Sequence, residues 1–187
     1  MRTFKLLVVM SVLLMSSGCA IYHHYDPYYG KVIDTETKAP LEGAAVLAVY
    51  YTEFQTGVAG TIGEYLDAQE TVTDKNGEFK IPSNNSFTFR PLNLFDSKVM
   101  FTVFKPGYGY YPMHPQVKPK FIPTWSLPSN EYVTVELPKL KKGENISWPS
   151  VNFDVPHSKQ KKFINLLNAW HEQFGIEKYT EKSFERR

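Results

Sequence analysis

One cysteine, Cys19, stands in a chain of 187 residues. That scarcity excludes an intrachain disulfide and a cysteine-rich zinc centre. Long apolar runs are missing too. The longest, Leu6 to Met15, covers ten positions, where a membrane-spanning helix needs about 20. Neither sign of charge dominates: 21 basic against 19 acidic residues give a net +2, which argues against nucleic acid, whose binders carry a basic face. No G-x-S-x-G elbow, P-loop or dinucleotide fingerprint occurs. Only five histidines are present, and His23 and His24 lie close to the amino terminus, leaving few candidates for a general base. The expectation is a non-enzymatic protein without cofactor or metal.

What the leader does have is a pattern. Arg2 and Lys5 precede the apolar stretch, and Ser16-Ser17-Gly18 supply small residues ahead of Cys19, as in a secretory signal peptide over 1–18. The run ending in Gly18-Cys19 resembles the lipobox of bacterial lipoprotein precursors, although Ser16 occupies a position where that family has Leu, Val or Ile. The resemblance implies a diacylglycerol thioether on Cys19, cleavage just before it, and acylation (palmitate) of the new amino terminus. One acyl chain binds a bilayer only marginally, and several hold a soluble domain stably. Removing the leader takes two of the 21 basic residues and none of the 19 acidic ones, so the remainder is balanced. Ala20, rather than Asp, resembles lipoproteins sent on to the outer membrane in enteric-type bacteria. Residues 19–28 are then the lipidated cysteine and a spacer, and the protein is exported and membrane-anchored, on the periplasmic face or the cell surface.

From Tyr29 to about Leu140 the pattern is all-β, with short β-branched and aromatic runs broken by Gly, Pro, Asn and Asp. "AAVLAVYY" (44–51) is apolar at every position, as expected for a strand covered on both faces. Asp74-Lys75-Asn76-Gly77 between "ETVTD" and "GEFKI" predicts a hairpin, with Phe79 and Ile81 inward. Lys105-Pro106-Gly107-Tyr108 predicts a type II turn. In "EYVTVEL", Val133, Val135 and Leu137 alternate inward. As an ordered set, "GKVIDTETKAPLEGAAV", "TVTDKNGEFKI" and "FKPGY" resemble the carboxypeptidase regulatory-like domain of the transthyretin-like (prealbumin-like) group. The resemblance implies a seven-stranded Greek-key β-sandwich over 29–140 without catalytic residues of its own. Insertions at 54–69 and 108–130 depart from it.

Residues 141–187 read as a polar linker, an amphipathic helix at about 159–174 and a charged tail expected to fray. Phe163, Leu167, Trp170 and Phe174 form an apolar stripe with Ile164 beside it; Ser158 is the expected N-cap and Gly175 the left-handed end. The stripe is expected to pack on the sandwich, with a partner's groove as the alternative.

Three constellations fail as metal sites. "DKNGE" (74–78) lacks the EF-hand glycine and glutamate positions. His23 and His24, near Asp26, point opposite ways in an extended chain. His171-Glu172 lacks the second histidine of a zinc protease. The candidate binding loop is 106–128, which holds six of the thirteen prolines together with Tyr108, Tyr110, Tyr111, Phe121 and Trp125. Stiffened aromatics can present rings to a ligand; the competing reading has the loop wrap the sandwich and bury them. The function expected is a lipid-anchored envelope protein, a binding or scaffolding module for a protein or glycan, acting through the 54–69 and 106–128 loops. The alternatives are a subunit of a secretion or surface-assembly machine and an accessory domain of a hydrolase.

Overall fold

A computed structural model of the chain describes residues 22–55, 61–87, 95–119, 126–141 and 149–185. The expected signal peptide (1–18), Cys19, Phe121 and Trp125 lie outside the described residues. Within them the protein is mainly β, with eight strands and one α-helix: β1 (Tyr22–Tyr25), β2 (Tyr28–Asp34), β3 (Ala45–Gln55), β4 (Thr61–Val72), β5 (Glu78–Ile81), β6 (Asn84–Phe87), β7 (Phe95–Phe104), β8 (Tyr132–Leu137) and α1 (Lys161–Glu172). Three open sheets result, ordered β5-β2-β8, β4-β3-β7 and the ribbon β1-β6. β2 and β8 run parallel, and every other pair is antiparallel.

β3 explains the layering. Its side chains alternate across the sheet, yet Ala45 through Tyr50 are all buried. Val46, Ala48 and Tyr50 enter a core shared with Val32, Phe79, Ile81, Phe101, Val133 and Val135. That core joins the two three-stranded sheets, consistent with the expected sandwich. Ala45, Leu47 and Val49 enter a second core with Phe104, Phe163, Ile164 and Leu167. A fully buried aliphatic or aromatic side chain contributes about 1.5–3 kcal/mol, so both faces of β3 are stabilising. Phe79, Ile81, Val133, Val135 and Leu137 are buried as their alternation predicts.

Several expectations change. The described part of the expected spacer, from Tyr22 on, belongs to the fold: Tyr22–Tyr25 is β1, and Tyr25 is buried, its ring 4.6 Å from Tyr50. The 54–69 insertion is mostly strand, since β3 and β4 pair as one long antiparallel hairpin from Ala45↔Val72 to Gln55↔Thr61. The Asp74–Gly77 turn does not close a hairpin. β4 pairs with β3 while β5 pairs with β2, so the turn passes the chain between sheets. The Asp74 carboxylate accepts the Asn76 and Glu78 amides at 2.8 and 2.9 Å. Gly77 alone takes positive φ there (74°), and a Cβ on it would stand 2.5 Å from the Val32 carbonyl oxygen.

α1 covers the outer face of β3. Phe163, Ile164, Leu167 and His171 are buried, whereas Phe174 lies beyond the helix end and is 51 % exposed. The apolar stripe therefore stops one turn early. Gly175 follows at φ 67°. Ser158 does not cap the helix: Gln160 holds the N-cap position without a side-chain bond. The cap comes from across the fold, where Glu70 on β4 accepts the amides of Lys162 and Phe163 at 2.8 and 2.9 Å. Nor does the tail fray over its described length. Asn168 both accepts from the Tyr179 amide (2.8 Å) and donates to its carbonyl (2.7 Å), and Tyr179 and Phe184 pack on the second core. Two rings among the charges were enough to fold it back.

Candidate binding groove

The aromatic loop enters the fold through an edge. Lys105-Pro106-Gly107-Tyr108 forms the expected turn, with the Tyr108 amide donating to the Lys105 carbonyl at 3.1 Å and Gly107 at φ 85°. The chain then returns along β7. Tyr111 donates to the Val103 carbonyl at 2.9 Å, and Val103 donates back at 3.2 Å. One extended antiparallel step sends successive side chains to opposite faces, so neighbouring tyrosines part company. Tyr111 points into the shared core, 1 % exposed, its hydroxyl donating to the Ser126 carbonyl at 3.2 Å. Burial lifts its phenol to about 12. Tyr111 is therefore a core residue and cannot face a ligand. Tyr108 is half-buried against the same core; burial and its hydrogen bond to Asp34 raise its phenol. It closes the end of the core rather than projecting from it. Of the described candidates, Tyr110 alone faces outward.

Tyr110 lines a groove of about 460 Å³ on the outer side of the β4-β3-β7 sheet. The floor follows from register. Val49 pairs with Met100 and Leu47 with Thr102, so those four side chains share the outer sheet face, where Leu47 and Val49 are buried in the second core and Met100 and Thr102 extend the floor on the β7 side. Pro112 and Met113 from the loop form one wall, with Met113 47 % exposed. The opposite wall is the segment 149–155, pinned by Val151 and Val155 in the second core. Gln160, fully buried, donates to the Asn152 and Val155 carbonyls at 2.6 and 2.7 Å. Asn152 in turn donates to the Tyr51 hydroxyl and accepts the Asp154 amide. Burial raises the Tyr51 phenol, with the Asn152 bond opposing and Asp154 adding to the effect. The groove is thus a pre-formed apolar slot with an amide, a carboxylate and hydroxyls at one wall.

Among the described residues lining the groove, Asp154 is the single carboxylate and none is a histidine. His114 and His157, the histidines that a hydrolase reading needs, sit elsewhere: the His114 ring fills the space over Gly109 and accepts the Gln116 amide, while the His157 ring packs on Phe184 at 5.5 Å. Among the described residues no three His, Cys, Asp or Glu side chains gather as metal ligands. His23 turns inward and His24 outward, where His24 bonds Asn85 at 2.6 Å. No helix of the described residues is long and apolar enough to cross a membrane.

Comparison with protein-family models, with curated proteins and with solved structures finds no match to this chain. Geometry therefore has to carry the functional argument. The sequence singles out Tyr110 but gives no sign of Met100, Met113 or Asn152, which line the same groove. The doubly apolar β3 was the available signal for the outer floor, since a strand buried on both faces requires cover on its neighbour as well.

Proposed function

We propose that this protein is a lipid-anchored envelope protein that acts as a non-enzymatic binding or scaffolding module, attached through acyl chains on Cys19 and engaging a partner at the Tyr110 groove. In this reading the two three-stranded sheets, with the Tyr111 segment as a seventh strand on the β7 edge, correspond to the Greek-key sandwich of transthyretin-like domains. The observation that carries the proposal is the groove itself. It is a slot on the outer sheet face beside α1, on the β7 side, walled by the proline-rich loop. Met100 on its floor and Met113 on its loop wall stand beside Tyr110 and Thr102, and flexible thioethers adapt to the irregular apolar side chains of another protein. Protein rather than glycan is therefore the favoured partner class.

Two experiments test the two halves separately. Cys19→Ser releases the protein from the membrane fraction; retention there refutes the anchor. For the groove, Tyr110→Ala with Met113→Ser removes a partner from crosslinked pull-downs while leaving the protein folded. An unchanged partner set rules the groove out. Deleting the whole 106–128 loop is no substitute, since it takes Tyr111 out of the core.

A further inference from the structure

The β1-β6 ribbon presents two aromatic side chains to solvent side by side. Tyr22 pairs directly with Phe87, and they are 60 % and 73 % exposed, beyond every other large apolar residue described as exposed. Directly opposed residues in antiparallel strands have Cβ atoms about 5 Å apart, so the two rings form one patch. The ribbon is not a loose flap. Its other face is anchored by Tyr25, 4.6 Å from Tyr50, and by Asn84, which donates to the Asp67 carboxylate at 3.1 Å. The patch is thus carried on the body of the protein.

We infer that this face of the ribbon lies in the lipid interface of the membrane that holds the protein, an inference that rests on lipidation of Cys19. Tyr22 stands three positions after Cys19, and an extended chain covers at most about 3.5 Å per residue. Tyr22 is therefore tethered within about 10 Å of the acylated sulfur, comparable with the depth of a headgroup layer. Tyrosine favours that layer, with its ring in the apolar boundary and its hydroxyl in water, and a phenylalanine beside it can bury its ring at the acyl boundary. The outward residues of the paired stretch, Tyr22, His24, Asn85 and Phe87, include no carboxylate, and the nearby Asp26 carboxylate lies 3.7 Å from the His24 ring. The occupant is the lipid surface itself. A second copy or a protein partner would have to compete with a bilayer that the tether keeps in place.

The test uses the full lipidated chain in vesicles. Phe87→Cys supplies a free thiol for a nitroxide, and Tyr132→Cys, on β8 and 54 % exposed in the native residue, serves as the solvent control. The expected result is an oxygen accessibility at position 87 above that at 132, with accessibility to a water-soluble nickel chelate several-fold lower. Equal nickel accessibility at the two positions overturns the inference. So does dipolar broadening between labels at 87, which indicates a second copy on the patch. Wild-type protein supplies the remaining control. If it takes up the label at Cys19, the anchor itself is wrong and the interface contact falls with it; if it stays unlabelled while position 87 remains open to nickel, the ribbon contact alone is refuted.

Discussion

Two adjacent tyrosines give the sharpest test of how the aromatic loop is built. Tyr111 is 1 % exposed in the shared core, while Tyr110 borders the groove. An aromatic side chain buries roughly 150–200 Å² or more, worth about 4–5 kcal/mol at 25 cal/mol per Å². Truncation to alanine also leaves a cavity, and measured costs for large aromatics fall at about 3–5 kcal/mol. Tyr111→Ala is therefore expected to lose about 4 kcal/mol, a large share of the roughly 5–15 kcal/mol that holds a domain together, and about 10 °C in Tm for a chain of this size. Tyr111→Phe keeps the ring and loses only the bond to the Ser126 carbonyl, about 1 kcal/mol. Tyr110→Ala, at a half-buried position, is expected to cost less than about 2 kcal/mol. Urea unfolding of the three variants, followed by far-UV circular dichroism, supplies the comparison. If Tyr111→Ala proves no costlier than Tyr110→Ala, the alternation along the β7 edge is wrong, and with it the assignment of Tyr110 to the groove.

Other expectations follow from the same contacts. Glu70→Ala removes the acceptor of two helix amides and is expected to cost about 1–2 kcal/mol, as helix caps do, with faster hydrogen exchange at Lys162 and Phe163; unchanged exchange at those amides removes the cross-fold cap. The Thr37 amide, chiefly, holds the Asp34 carboxyl below its ordinary 3.8, helped by the Glu36 amide and the Tyr108 hydroxyl against the opposing effect of burial. A depressed carboxyl stabilises the fold fully above its unfolded pKa, and that contribution is lost as pH falls through the lower folded value. The stability gap between wild type and Asp34→Asn should therefore be flat near neutrality and shrink below about pH 4; a gap that widens on acidification contradicts the assignment. At the alkaline end, burial holds the Tyr25, Tyr28 and Tyr111 phenols up at about 12. Raised phenols mean stability falls as pH climbs from 10 towards 12, and spectrophotometric titration should show these rings ionising together with unfolding. Phenols that all titrate near 10 in the folded protein would contradict their burial.

Much of the architecture was legible along the chain because it rests on local rules. The alternation in "EYVTVEL" put Val133, Val135 and Leu137 inside, and the unbroken apolar run of β3 required cover on both faces, which the second sheet and α1 provide. The Pro-Gly turn before Tyr108 formed as its backbone preferences dictate. Asn76-Gly77 shows the limit: its turn geometry was written locally, but which strands it joined was not, because strand pairing depends on distant partners. The same limit applies to the helix start, where Glu70 replaced the expected Ser158.

By itself, then, the amino-acid order determined the mainly β content, the faces of β3, β5 and β8, the amphipathic C-terminal helix and the opposite directions of His23 and His24, all consequences of side-chain period and turn stereochemistry. The tertiary structure alone decided that Tyr110 borders a groove while Tyr111 fills the core, that 149–155 forms the facing wall, and that Tyr22 meets Phe87 across the ribbon. Those outcomes depend on which segments, far apart in sequence, share a sheet edge. Periodicity carries no information about that choice; it is made when buried surface and backbone hydrogen bonds are satisfied together.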